Sequence, residues 1–405
     1  MTDFVHFAFL FSNNWTFIFL YLIYFYFAYK NSKLYMSKPG LLLFHLFFLL
    51  VGGVYAQSIA PKYSNEFMNI GVGARALAMG GAQVSSVRDV TAAFWNPAGL
   101  LGIKNKHEFT LMHAEYFAGI AKFDYLGYST SLDYDNQIAV SLIRFGVDDI
   151  PDTRFLYDAN GALNYNNIQF FNAADYALLL SFAKDFSDEF KFGVNAKIIH
   201  RNVGRFAQAW GFGLDVGGIY LLDDWRFGVM LKDVTSTFNA WFHNADMVRD
   251  IYSQTNNEIP VNSIELTLPR AIFSVTRDVQ ITDEIGVQGV IDLDFTFDGR
   301  RNTVLRTSLV SFDPRMGFEV NYSNKFFLRG GGSNVQRIKD FDGSFYTSWK
   351  PSFGLGVFLS EKFFIDYALS DIGGISQTPY SHIVSVKVSL KELDGRYRIN
   401  KGWKD

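Results

Sequence analysis

Cysteine is absent from all 405 residues, which excludes thiolate catalysis, cysteine metal sites and disulfides. Such a chain crosses an oxidising compartment without mispairing. Charge is scarce: 19% of residues are charged and the formal net charge is -3. No basic excess exists to neutralise a phosphate backbone, so nucleic acid is excluded as a partner. Beyond Gln57 the chain has no uninterrupted apolar run of roughly 18 residues, so no membrane helix is expected there. Yet 49% of the chain is hydrophobic, including 42 Phe and 21 Tyr. That is too apolar for disorder. With 34 Gly and only 9 Pro, it favours many strands with aromatic bands over helices.

The first sixty residues read as addresses. Phe4 to Tyr29 carries no formal charge, but Ser12, Asn13, Asn14 and Thr16 interrupt it, and the clean run from Trp15 to Tyr29 falls short of the roughly 20 residues of a spanning helix. A second unit begins at Met36, with Lys38 as positive n-region, Leu41 to Val51 as apolar h-region and Val54-Tyr55-Ala56 as cleavage site before Gln57. It reads as a signal peptide for Sec export. Residues 1–35 are then an upstream extension absent from the mature protein, or alternatively an inner-membrane anchor. The expected parts are signal peptide 36–56, N-terminal hatch 57–105, β-barrel 106–390 and hydrophilic periplasmic tail 391–405.

From residue 106 the apolar residues recur with period two. Phe190, Phe192, Val194, Ala196 and Ile198 alternate with Lys191, Gly193, Asn195 and Lys197. Ile285 to Phe297 and Trp225 to Asp233 repeat the pattern. So do Trp210–Tyr220, Met316–Tyr322, Phe353–Leu359, Phe363–Leu369 and Val384–Leu390. Tight polar turns (133–136, 185–189, 223–224, 282–284, 323–324, 360–361) alternate with connections that are often long: 147–171, 234–265, 298–314, 335–351 and 372–380. Short turns on one side and long loops on the other mark an outer-membrane barrel. The expected fold is all-β, a transmembrane antiparallel barrel of about 14 strands. Inside hydrocarbon every unpaired backbone group costs several kcal/mol, so the sheet must close on itself. A soluble β-sandwich or solenoid is the alternative use of the same alternation.

Face assignment follows. Lys191, Lys197, Arg226, Lys232 and Arg329, with Asp215, Asp292, Asp294, Glu319 and Asp366, must face the lumen, their mixed signs favouring internal pairing. Val194 and Ile291 should face lipid, whereas arginine should be tolerated at the lumenal Asn195 and Gln288. Phe186, Phe190, Trp225, Tyr322, Phe326, Phe363 and Phe364 fit interfacial girdles.

Residues 67–101 break the strand pattern with small residues, suited to a plug packed closely against barrel walls. A short turn capping the barrel mouth is the alternative. Here Asn69-Ile70-Gly71-Val72-Gly73-Ala74-Arg75-Ala76, Met79-Gly80-Gly81-Ala82, Asp89, Thr91-Ala92-Ala93 and Trp95-Asn96-Pro97-Ala98-Gly99-Leu100 resemble the N-terminal signature of the PorV/PorQ family. Those are outer-membrane barrels of the type IX secretion system, similar in architecture to the FadL fatty-acid transporters. Phe326 to Gly331, Gly354-Leu355-Gly356 and Ile365 to Ala368 resemble the family's final hairpins. The hydrophilic stretch after the last strand departs from the pattern.

The resemblance implies a barrel of a Gram-negative outer membrane that binds the C-terminal domain of secreted cargo and hands it to the translocon or attachment machinery. It implies no catalytic residue, and no metal or cofactor is expected. Its FadL side implies instead passive passage of hydrophobic small molecules past the hatch, with such molecules or detergent in the lumen, and Asn96-Pro97-Ala98 does not choose between the two. The candidate residues are the hatch motif, Gly71, Gly73, Arg75, Gly80, Gly81, Asp89, Trp95, Asn96, Pro97, Ala98 and Gly99, and the loop aromatics Phe155, Tyr157, Phe170, Trp241 and Phe242. Those aromatics either grip another protein or pack down over the mouth.

Other chemistry is weaker. The G-x-G-x-x-A run at Gly71 lacks the βαβ context of a dinucleotide site. Ser129 sits in an alternating strand without a nucleophile elbow. His107, His113, His200, His243 and His382 are scattered. Asp148, Asp149 and Asp152 lack full calcium-loop spacing and read as a solvated surface.

Overall fold

The computed structural model describes residues 64–392, apart from 159, 255–256, 308–309, 361 and 371–380. The signal segment and residues 393–405 lie outside them, as does the 372–380 connection. Strands β1 (Asn105–Tyr116), β2 (Ala121–Ser131), β3 (Asn136–Asp152), β4 (Gln169–Asp185), β5 (Phe190–Val203) and β6 (Ala207–Leu222) run as antiparallel neighbours. There follow β7 (Trp225–Lys232), β8 (Thr237–His243), β9 (Ser263–Thr267), β10 (Arg270–Gln280), β11 (Ile285–Thr296) and the two-residue β12 (Leu305–Arg306). The remainder are β13 (Ser311–Tyr322), β14 (Phe326–Lys339), β15 (Phe345–Ser360), β16 (Phe363–Ser370) and β17 (Ser381–Glu392).

These strands make one closed antiparallel barrel of fourteen wall positions among the described residues. β17 returns to β1, from Asn105↔Glu392 to Glu115↔His382. Seventeen strands reduce to fourteen positions because two walls are interrupted and β12 is a stub. β7 and β8 both pair with β6, and β9 and β10 continue beside them. The first interruption, 233–236, holds Asp233 and Ser236 at positive φ (57° each). A buried triad secures it: Lys197 Nζ lies 2.7 Å from Asp215 and 2.5 Å from Asp233. The second interruption contains Pro269, which has no N–H for the ladder.

Three long connections are shorter than the sequence suggested, and proline explains why. Pro151, Pro314 and Pro351 resemble strand ends, yet each lies within a strand. At each, the strand has rung partners on one side only: Pro151 with Phe170, Pro314 with Leu293, Pro351 with Gly332. A one-sided rung tolerates a missing donor. The 335–351 connection therefore shrinks to residues 340–344, and the 234–265 connection contains β8 and β9.

Alternation sorts the faces. All ten expected lumenal charges are buried, whereas Leu111, Leu142, Phe212 and Ile291 point outward and exposed. Eight of the ten are in ion pairs, among them Arg329 with Glu319 (2.5 Å) and Asp366, and Arg226 with Asp278; Lys232 instead lies 4.0 Å over the Phe94 ring, and Asp292 accepts from Gln83 N and Val84 N. Six of the seven girdle aromatics are exposed, but Phe364 is buried. It shares the inner face of β16 with Asp366 and packs on Phe358 at 4.3 Å. The lumen thus serves as the hydrophobic core, filled by residues that precede β1.

Candidate functional site

Residues 64–104 occupy the lumen, and the sequence of small residues shows how they fit. Gly71 and Gly73 have φ of 94° and 87° and lead into α1 (Ala74–Ala78). This five-residue turn of helix lays Ala78 against Gly354 of β15, where a Cβ on the glycine would fall 2.5 Å from that of Ala78. Gly80 (φ 67°) and Gly81 (φ 77°) reverse the chain. A Cβ on Gly80 would come within 2.7 Å of the Gly332 nitrogen, and one on Gly193 within 2.5 Å of the Ala98 nitrogen. Hatch and wall therefore touch backbone to backbone, with glycine on either side of the contact.

Polar bonds tie the hatch around the barrel. Ala74 N donates to Ser385 Oγ at 2.8 Å. Gln83 N and Val84 N donate to one oxygen of Asp292 at 2.8 and 3.1 Å. Ser85 Oγ lies 2.6 Å from the hydroxyls of both Ser274 and Thr276. Arg75 makes a two-pronged contact with Glu319, Nε–Oε2 2.8 Å and Nη2–Oε1 3.2 Å, and also donates to Gln83 and Gln288. Asp89 accepts from the nitrogen of Thr91 at 2.9 Å, opening α2 (Ala92–Trp95). Trp95 Nε1 donates to the Val72 carbonyl at 2.8 Å. Asn96 is wholly buried: Nδ2 donates to the carbonyls of Val84 (3.0 Å) and Gly218 (3.1 Å), and Oδ1 accepts from Ala98 N (3.2 Å). Pro97 then opens the 3-10 turn Pro97–Gly102, and Gly99 packs against the Val87 backbone. The structure thus brings the eleven hatch-motif residues into one lumenal plug.

That plug alters one expectation. Asn195 and Gln288 do face inward, but Asn195 donates to the Ala93 carbonyl at 2.7 Å and Gln288 accepts from Arg75 at 2.8 Å. Arginine at either position would meet the hatch rather than water, so neither site has room for it.

The loop aromatics are not brought together with the hatch. Phe155, Tyr157, Phe170 and Phe242 are exposed. Trp241 is engaged: its Nε1 donates to Glu265 at 2.8 Å and Arg201 sits 5.0 Å above its ring. Ser129 is buried in the wall, donating to the Ile138 carbonyl. Asp148 pairs with Lys122 and Arg144, and Asp152 with Arg154.

Between hatch and long loops lies an outward-opening vestibule of about 640 Å³. Leu77, Trp95 and Gly81 of the hatch contribute its floor, Tyr116 and Phe145 an aromatic side. Its opposite wall is polar and came from residues that sequence reasoning missed. Arg270, Asp313 and Arg315 line it beside Asp294. The missed signal was polar alternation through Arg270, Ser274, Thr276 and Asp278, and through Asp313 and Arg315 across Pro314. Arg315 Nη2 donates to Asp294 at 2.8 Å.

Comparison with known proteins agrees with this architecture. No family model matches the chain, and no curated protein does. Among solved structures, the toluene transporter TodX of P. putida is 14% identical, covering 80% of this chain and 99% of its own, with a TM-score of 0.50. The toluene transporter TbuX of Ralstonia pickettii is 13% identical over 79% and 98%, with a TM-score of 0.49. A FadL homologue of Pseudomonas aeruginosa is 10% identical over 78% and 97%, at 0.44. The fold is shared with TodX. At such identity the likeness is one of fold, and no family model supports the PorV/PorQ half of the sequence resemblance.

Proposed function

We propose that the chain is a passive outer-membrane channel for hydrophobic small molecules, with the hatch as its closure. The observation that carries this reading is the vestibule. It has the size of small-molecule sites, which run from roughly 300 to 1,000 Å³, and it ends on a plug that leaves no room for a folded protein domain. The toluene transporters that share the fold lend the solute class. Solute entering between the long loops would rest on Trp95 and Leu77, and passage onward would require the hatch to release part of its wall contacts. A bare phospholipid bilayer passes such solutes unaided, so the test uses cells with an intact lipopolysaccharide leaflet. Labelled toluene should enter faster in cells carrying the chain than in cells lacking it; equal rates would refute the channel.

The sequence resemblance supplies a second reading, delivery of secreted cargo, and one observation favours it: Phe155, Tyr157, Phe170 and Phe242 stand exposed on the long-loop side. Surface proteomics of cells lacking the chain separates the two readings, since loss of displayed cargo with normal solute uptake would support secretion.

A further inference from the structure

The polar wall of the vestibule has a chemistry that a channel for bare hydrocarbon does not need. Antiparallel register sets Ile272 opposite Asp294, and Asp294 opposite Asp313. It thereby gathers Arg270, Asp294, Asp313 and Arg315 from β10, β11 and β13 onto one patch of inner face. Two cations meet two anions, yet they pair incompletely. Apart from the Arg315–Asp294 bond, Arg270 Nε faces Asp294 Oδ1 at 3.6 Å, and Arg315 Nε faces Asp313 Oδ2 at 3.8 Å. Both separations are too long for hydrogen bonds. Arg270 Nε, Asp294 Oδ1 and Asp313 Oδ1 are buried without a hydrogen-bond partner, and Asp294 is only 3% exposed. The residues that carry this one donor and these two acceptors line the same cavity, across from Trp95, Tyr116 and Phe145.

We propose that this quartet is a head-group subsite, and that the channel's preferred solute is a phenol or aromatic alcohol. The inference rests on the channel reading above and narrows its solute class. A hydroxyl donates one hydrogen bond and accepts others, so it can donate to an aspartate oxygen while accepting from Arg270 Nε. The four charges sum to zero. A carboxylate head would face the open oxygens of Asp294 and Asp313, and an ammonium would face Arg270. Arg301, on the same cavity, is held by Asp298 at 2.5 Å, and Lys350, which also lines it, is the cation that would favour an acid instead. A bare hydrocarbon would leave the three polar atoms unmatched, and a site built to bond a hydroxyl discriminates against the analogue lacking it.

The test compares uptake of p-cresol, toluene and p-toluate, which share a methylated ring and differ in head, by cells with an intact lipopolysaccharide leaflet. The half-saturating concentration of p-cresol should be lower than those of the other two by roughly tenfold, the factor that about 1.4 kcal/mol of added hydrogen bonding confers. Asp313→Asn and Arg270→Gln should each collapse the p-cresol-to-toluene ratio toward one. Arg249→Ala, at an exposed position in the connection between β8 and β9, should keep it. Heat-modifiable migration verifies assembly, and two variants on separate strands guard against one failing to fold. Equal half-saturation for all three solutes in the unmodified protein would overturn the subsite and leave the channel standing. Preference for p-toluate would overturn it in favour of Lys350. Failure of every solute to exceed the chain-free control would refute the channel itself.

Discussion

Removing the guanidinium of Arg75 should loosen the hatch. Its side chain is 15% exposed and that of Glu319 8%, so the pair is largely withdrawn from water. Deleting one partner of a buried pair costs roughly 3–5 kcal/mol, because the survivor is left uncompensated. Here Glu319 retains Arg329 at 2.5 Å, which lowers the loss in Arg75→Ala to about 2–3 kcal/mol. If that energy holds the hatch closed, the population with a displaced hatch rises by roughly 30- to 150-fold. Single-channel recording in planar bilayers reads this as opening frequency, with Arg249→Ala as control and heat-modifiable migration to confirm a closed barrel. An assembled Arg75→Ala barrel whose opening frequency changes less than twofold would show that Arg75 does not hold the plug.

Three further outcomes are expected. Asn96→Ala removes bonds to Val84, Gly218 and Ala98; at about 1 kcal/mol for each net hydrogen bond, limited proteolysis should cut residues 90–104 faster while the barrel persists. Gly193→Val would force a side chain into the Ala98 backbone, so folded barrel recovered from membranes should fall severalfold; wild-type recovery would contradict the close approach. Ile291→Arg should lower assembly by placing charge in lipid at roughly 2–4 kcal/mol, and Asn195→Arg should lower it too by displacing the hatch. Tolerance of Asn195→Arg would mean that the lumen there is open water.

The wall was legible because lipid and a packed lumen impose opposite demands on adjacent residues. That is why Phe190 to Ile198 and Ile285 to Phe295 could be assigned to faces from alternation alone. The same rule misled where one residue type serves both sides: Phe364 resembles a girdle aromatic but follows the inner parity of Asp366. Strand ends were less legible, since Pro151, Pro314 and Pro351 look like terminators until it is known that each strand has one neighbour there. The hatch glycines signalled close packing. Their partners, Gly193, Gly332 and Gly354, could not be named, because a wall glycine is indistinguishable from any other until the fold sets it opposite the plug. The polar quartet was hidden for a related reason: Arg270, Asp294 and Asp313 lie on separate strands, and only register unites them. Solute class was beyond a motif such as Asn96-Pro97-Ala98, whose bonds are all spent on holding the hatch.

The central claim is that solute crosses by displacing the hatch, and a single reversible crosslink tests it. Ser85 Oγ of the hatch and Ser274 Oγ of β10 are 2.6 Å apart, close enough for cysteines there to approach disulfide geometry. The native chain has no cysteine, so Ser85→Cys/Ser274→Cys creates only that bridge. Toluene uptake across an intact lipopolysaccharide leaflet should fall to the chain-free level when the pair is oxidised and recover on reduction. Uptake by the oxidised variant equal to that of the reduced one would contradict the account, placing the solute path outside the hatch.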